Sequence, residues 1–548
     1  MSGPVARVAL LLPLLTALVS CGGAGGDSSP EGAEGPAEPG DGGTVVIGVI
    51  SDPDNLLDVT TTSTSGQDIV AQLFLSLVDV KEDFLGFEPA LARTWERSRD
   101  GKAITFHLAP EARWHDGEPV TARDVRFTHE LQTDPIVGYP ARSWKEFITD
   151  VVVEDDHTVT YRFDRDYPYQ LMDASVGAVL PEHLLKDVPR AELASCEFAR
   201  RPVGNGPFRF SQWKSQDFVE LVANEDHFLG RPHLDRVIIR TIPERTSLLV
   251  QLETGAVDVM EDVPPHDVAR LEQARNGIRI ERFPSRSYTY IGWDSTNPLF
   301  ESARVRRALT MAIDRQGIID ALFYGYAQPC LGPIHPILWA YDDSLAAVPY
   351  DPEAARALLA EEGWNDSDGD GWLDRGGETF AFELKTNEGN RLRQDAAVMI
   401  QAQLADVGVK VTPRSYEWTV LWDSVIRHAY ETAVLVGWSV ALKVDLKPTF
   451  HSESLTGQFN HTGYSSPEVD ALIDRALAAS SLEEAKPAWK AVQRKIVEDQ
   501  PYTFLFIQER IYGVNERVRG TVPDTRGYYR SLQDWWIPAS KRRQRAGV

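Results

Sequence analysis

Cysteine is nearly missing from these 548 residues: only Cys21, Cys196 and Cys330 occur. A dense disulfide framework is therefore excluded. With Cys21 set aside, one bridge between Cys196 and Cys330 is the most the chain could form in an oxidising compartment, and two buried free thiols are the default. Basic charge is also short, with 56 Lys and Arg against 81 Asp and Glu, a formal net charge of −25. Nucleic-acid binding is excluded on that ground, because affinity for phosphate backbones comes mainly from Lys and Arg. No G-x-x-x-x-G-K-[ST] loop occurs, so nothing here marks a nucleotide-hydrolysing site. Internal repeats are absent, and so is any apolar run long enough to span a bilayer as a helix.

What is there begins at the N-terminus. Arg7 and the terminal amine precede an apolar run over residues 8–19, interrupted only by Pro13. That length suits the core of a signal peptide over residues 1–20. Leu18-Val19-Ser20-Cys21 resembles a lipobox, whose cysteine receives diacylglycerol and becomes the mature N-terminus, an anchor of two or three acyl chains. The alternative is a plain signal peptide whose cleavage site includes Cys21. Residues 22–43 are nearly all Gly, Ala, Ser, Pro and acid; they cannot bury enough apolar area to offset their ordering entropy and read as a flexible tether. A chain of this length exceeds what one core can serve, so two or more lobes are expected.

The body reads as mixed α/β. Residues 44–50 (TVVIGVI) form a short β-branched run typical of a buried strand, and 104–108, 151–154, 158–163, 218–222 and 237–242 are further strand candidates. Val305, Ala308, Leu309, Ala312 and Ile313 fall on one helical stripe, as do Val469, Leu472, Ile473, Ala476 and Leu477. Ser466 before Pro467 is a helix start, and Asp351-Pro352 opens another helix that ends near Gly363.

Six segments, in order, resemble the family 5 extracellular solute-binding proteins, which serve peptide, nickel and related ABC importers. Residues 104–130 (ITFHLAPEARWHDGEPVTARDVRFTHE) match the family's W-x-D-G-x-P-x-T-A-x-D-V-x-F block through Trp114, Asp116, Gly117, Pro119, Thr121, Ala122, Asp124, Val125 and Phe127. There Asp-Gly reads as a tight turn and Thr121 as a helix cap. Gly204-Asn205-Gly206-Pro207-Phe208 is similar to the family's G-T-G-P-Y crossing, where paired glycines would permit unusual backbone angles. Residues 248–259, 304–315, 350–364 and 460–474 complete the set. The resemblance implies a three-domain, periplasmic-binding-protein-like α/β fold with two lobes around a ligand cleft. Domain I would combine 44–75, 203–284 and 512–548; domain II would be 76–202 and domain III 285–511. It further implies a monomer held outside the cytoplasm by its lipid, handing a peptide or peptide-like solute to the permease subunits of an ABC transporter and catalysing nothing.

The resemblance also points to the cleft. Glu417-Trp418 follows a strand at 409–412, and Gly437-Trp438 follows one at 432–436; in peptide-binding relatives tryptophans at these places pack beside ligand side chains, as flat walls that need no specific hydrogen bonds. Such relatives usually carry an aspartate three residues beyond the second tryptophan, to pair with the ligand's α-ammonium. Ala441 stands there, in the run Ser439-Val440-Ala441-Leu442-Lys443-Val444-Asp445. Either Asp445 replaces the missing acid or the ligand has no free ammonium, since a buried ammonium without a counter-charge is costly.

Three further features carry possible chemistry. Asp366, Asp368, Asp370 and Asp374 sit at positions 1, 3, 5 and 9 of a loop resembling an EF-hand, with Gly371 at 6. Position 12 is Gly377, so the bidentate acid is missing; a polar turn is preferred to structural calcium, and no other cofactor is expected. Gly437-Trp438-Ser439-Val440-Ala441 distantly resembles the G-x-S-x-G nucleophile elbow, with His451 and His461 downstream, which makes a serine hydrolase the remote alternative. His227 and His233 are the closest histidine pair for a metal or metal-chelate ligand and are loosely spaced.

Overall fold

In the computed structural model the described residues are 38–274, 277–457 and 459–542. The signal segment 1–20, Cys21 and the tether as far as residue 37 lie outside them. The β-branched run that opens the body forms the strand Thr44–Val49, buried along nearly its whole length. It has a parallel neighbour on each side, Arg236–Thr241 and Val259–Met260, and it is apolar on both faces because a core covers each: Val45, Ile47 and Val49 face one, Val46 the other. Phe218–Ala223 and Phe208–Lys214 continue that side of the sheet as antiparallel strands.

A single long strand, Tyr502–Asn515, joins this half of the sheet to a second half. Its first residues pair with Ser287–Trp293, its middle with Ala327–Pro329 and its last with Ile278–Pro284. Beyond Ser287–Trp293 the second half continues through Ala433–Ser439, Ala381–Asn387 and Lys410–Tyr416, the last three mutually parallel. The chain passes between the halves at residues 284–287 and again near 508–511. A separate antiparallel sheet is built from Ala92–Arg97, Ala103–Leu108, Thr158–Phe163 and Ile148–Asp155.

Each layer has its own apolar filling. Phe106, Trp114, Leu131, Leu221, Val237 and Trp535 belong to one core shared by the four-stranded sheet and one face of the first half-sheet. Leu248, Leu252 and Met260 cover that half-sheet's other face. In the second half, alternate residues of Ala433–Ser439 face opposite ways: Leu435 packs with Trp293, Phe382 and Ile400, while Val434 and Val436 pack with Tyr290, Trp489 and Tyr502. Each such side chain contributes about 1.5–3 kcal/mol by leaving water.

Local sequence signals and the folded chain agree at some positions and differ at others. Helix Pro467–Leu477 is capped by Ser466, and Pro352–Glu361 by Asp351. Gly117 turns the chain at φ +98°. Helix Ala122–Thr133 starts after Thr121 as expected, and the Asp124 carboxylate closes it by accepting the Thr121 N–H at 2.8 Å. The stripe through Ile313 is broken, because helix Ala303–Met311 ends before Ala312 and a second helix starts at Arg315. The glycines at 204 and 206 do not use forbidden angles, since neither has positive φ. Their reason is proximity: a Cβ on Gly204 would lie 1.9 Å from the Leu73 carbonyl oxygen, and one on Gly206 would lie 2.6 Å from that of Gln72. Asn205 completes the crossing by accepting the Leu75 N–H. Cys196 and Cys330 are both free thiols.

Candidate functional site

The carboxyl ends of the parallel strands Ala381–Asn387, Lys410–Tyr416 and Ala433–Ser439 point to one edge of the second half-sheet, where ligands of open α/β sheets are held. Helix Trp418–Ile426 begins directly after the second of these strands, and the Glu417 carboxylate caps it by accepting the Val420 N–H at 3.1 Å. Glu417 is thereby a structural cap, with its carboxyl held below the usual range by those backbone donors. Trp418 is 43% exposed.

Trp418 and Trp438 are linked through a residue the sequence reading passed over. Trp422 stacks on Trp418 at 5.5 Å between ring centres and meets Trp438 edge-on at 5.7 Å. Phe459 closes on Trp438 at 5.6 Å. Helical spacing was the available signal, since residues four apart share a face. Behind Trp438 lies a buried polar-aromatic box. The Trp438 Nε1–H donates to the Tyr502 hydroxyl at 3.3 Å, and Tyr290 stacks parallel to Trp438. His461 Nε2 is 2.9 Å from the Tyr290 hydroxyl, and its Nδ1 is 3.3 Å from that of Tyr430. Burial lowers the His461 pKa to about 3, so the ring is neutral and can accept as well as donate. The box fixes the Trp438 rotamer from behind.

Gly437 has a packing role. A Cβ there would come within 2.7 Å of the Arg393 guanidinium and 2.8 Å of the Tyr288 carbonyl oxygen. Arg393 Nη1 donates to Asn387 Oδ1 at 3.0 Å while its Nε has no partner. Ser439 is exposed, pairs with Ser287 as the last residue of its strand, and makes no hydrogen bond to a histidine. The chain then runs on in residues 440–446 without a helix, so the strand–turn–helix elbow is not formed. His451 lies by Asp470 and Asp474, and His461 is sealed in its aromatic box.

Ala441 is exposed, and so is Asp445, whose Oδ1 accepts the Lys447 N–H at 2.9 Å. Between them Lys443 reaches the four-stranded layer, where its Nζ lies 3.0 Å from Asp173 Oδ2. Neither that cation nor its acid was singled out in the sequence, where 270 positions separate them.

Near the crossing of the two half-sheets an open cavity of about 770 Å³ is lined by residues of both, including His266, Ser285, Tyr324, Tyr326, Leu392 and Arg510. None of the residues named from sequence lines it. Next to it acidic groups are buried where the two halves cross. Burial raises Glu261 to about 8 and Asp68 to about 6, the Tyr529 hydroxyl donates to Glu261, and Arg510 lies 3.7 Å from the same carboxylate.

The aspartate-rich loop is closed by a bridge between Asn365 and Asp374, and the short strands Asp374–Arg375 and Glu378–Thr379 form a hairpin directly after it. Asp366, Asp368 and Asp370 each bring one oxygen within 4.8 Å of the others, the one such group among the described residues. Asp374 turns instead to Ser367, accepting its N–H and hydroxyl, and Asp366 accepts the N–H groups of Gly369 and Gly371. His227 and His233 do not converge: one ring bonds the Gly230 carbonyl and the other pairs with Asp41.

Comparison with known proteins agrees with this geometry. The model for bacterial extracellular solute-binding proteins, family 5 middle, matches residues 86–452. The oligopeptide-binding protein AppA of Bacillus subtilis is 32% identical over 91% of this chain and 92% of its own. Its structure with a nonapeptide aligns at a TM-score of 0.75, covering 91% of this chain and all of that one. Heme-binding protein A of Haemophilus influenzae is 28% identical over 87% of this chain and 88% of its own. NikZ of Campylobacter jejuni, solved with Ni(L-His), aligns at a TM-score of 0.75 with 25% identity over 90% of this chain and 99% of that one. The sheet divided by one shared strand, the crossing segments and the matched chain length lead to one conclusion: this chain belongs to the bacterial extracellular solute-binding proteins of family 5, with the periplasmic-binding-protein fold.

Proposed function

We propose that this protein captures a peptide or peptide-like solute outside the cytoplasm and delivers it to the permease of an ABC importer, while Cys21 carries a lipid that keeps it at the membrane. The observation that carries the reading is the Trp418–Trp422–Trp438 wall at the carboxyl ends of the strands. Aromatic faces accept varied side chains at low cost in specific bonding. The relative AppA, solved with a nonapeptide, supports the peptide class. Ligand bound between the lobes shifts an open–closed equilibrium by its greater affinity for the closed form, and the closed form is what a permease would receive.

A second reading, a solute with no free ammonium, is favoured by one observation. The position three residues after Trp438 is Ala441, and the Asp445 carboxylate accepts the Lys447 N–H two residues on instead of facing a partner cation. The aspartate hairpin is read as a self-bonded turn that needs no calcium. The body is read as a monomer.

One experiment addresses these points together: native mass spectrometry of the full chain extracted from membranes. The expected spectrum is a single copy with diacylglycerol on Cys21, no bound calcium, and a series of co-purifying peptide masses. Peptides with free and with acetylated N-termini are then titrated in. Equal affinity supports a site without an ammonium anchor, and loss of binding on acetylation would overturn the second reading. A spectrum holding only a non-peptide solute, with no peptide of either kind bound, removes the peptide class.

A further inference from the structure

The loop at residues 440–446 leaves the second half-sheet and lands on the four-stranded layer, which belongs to the other side of the molecule. Lys443 is the residue that lands. Its ammonium lies 3.0 Å from Asp173 Oδ2 and within 5.6–5.9 Å of the ring centres of Tyr169, Tyr167 and Phe147. This is an aromatic cage with a carboxylate at its base, the arrangement that binds an alkylammonium group. The Asp173 side chain is fully buried, holds the Tyr167 hydroxyl at 2.7 Å on the same oxygen, and has no hydrogen-bond partner on the other. The next residue adds a second tie, with the Val444 N–H donating to the Tyr169 hydroxyl at 3.1 Å. Leu442 and Trp339, also from the second side, pack against the apolar core of the first.

We infer that Lys443 is a built-in latch between the lobes: its ammonium fills a cation site of Phe147, Tyr167, Tyr169 and Asp173, and this holds the closed form together in part without ligand. The physics is that of a buried pair formed only on closure. When the lobes part, Lys443 and Asp173 are both wet. When they close, both lose water, and each compensates the other. Closure without the lysine would seal Asp173 with one hydroxyl and no counter-ion at bonding distance, which is the costly case for a buried pair. Lys145 lies nearby, yet it donates to the backbone carbonyls of Asp173 and Val176 and so does not take Lys443's place on the carboxylate. The inference stands whatever the solute is, because no ligand atom takes part.

The test is small-angle X-ray scattering of the full chain, freed of ligand by unfolding and refolding, as wild type, Lys443→Ala, Lys443→Met and Lys443→Arg. The expected result is a compact wild type and arginine variant, with a larger radius of gyration for the alanine and methionine variants. Propylammonium at millimolar concentration should compact Lys443→Ala and leave the wild type unchanged. Ligand affinity in the alanine variant should fall about tenfold or more, through faster dissociation. The methionine variant keeps the apolar stem, so if it scatters like wild type the ammonium is not the latch. Equal radii for the ligand-free wild type and both neutral variants, open or closed, would likewise overturn the inference.

Discussion

At the scale of the residue, the positions that matter are held by what lies behind them. Trp438 is held in place because Tyr502 bonds its indole N–H and Tyr290 stacks on it, with His461 bonded to both hydroxyls. Since His461 is held neutral with a pKa of about 3, its folded pKa lies below the unfolded value of about 6.5. The unfolded chain therefore binds the extra proton first, and stability is lost as pH falls from about 6.5 towards 3. In denaturant titrations at pH 7 and pH 5, wild type should lose stability relative to His461→Gln over that interval. A constant difference between the two would show that the ring is not kept neutral. Gly204 is a simpler case. Adding a methyl against the Leu73 carbonyl oxygen forces backbone to move, so Gly204→Ala should cost roughly 1–3 kcal/mol in urea unfolding with no change in thiol accessibility at Cys330.

At the scale of elements, the first half-sheet is tied across almost the whole length of the chain. Arg517, just after the long shared strand, makes a two-pronged pair with Asp258 at 2.7 and 2.6 Å, and the same guanidinium donates to the Thr44 carbonyl oxygen. Asp258 in turn accepts the Val46 N–H at 2.9 Å. Both side chains are buried, so removing one partner strands the other. Arg517→Met should therefore destabilise the protein by about 3–5 kcal/mol in chemical denaturation. Restored stability in an Arg517→Met, Asp258→Leu double variant would show that the uncompensated charge was the cause. Element existence was largely legible in the sequence: the Thr44–Val49 strand, the Ser466 and Asp351 caps and the turn at Gly117 all follow from local chemistry. Gly437 and the paired glycines at 204 and 206 were legible as glycines, but the reason for them was not. Close approach of another segment depends on packing, and no local pattern encodes it.

At the scale of the whole molecule, two halves of the sheet share one strand, Tyr502–Asn515. Buried acids lie beside Arg510 at the crossing of the two halves, and Lys443 meets Asp173 across them. Of the candidate site, Trp418 and Trp438 were pointed to by the family resemblance; in the structure Trp438 lies within its strand, not after it, and Trp422 links the two rings. In the loop of Ala441 and Asp445, the residue between them that finds a counter-charge is Lys443, which meets an acid of the protein itself.

The sequence by itself determined the class of fold, most of its elements and the family, because periodicity, caps and turn residues act over a few positions and the family's blocks are continuous in the chain. Only the tertiary structure decided which charges meet. Lys443 with Asp173, Arg517 with Asp258 and Trp438 with His461 are brought together by topology, and a Coulomb or hydrogen-bond contact depends on distance in space, which sequence separation does not set.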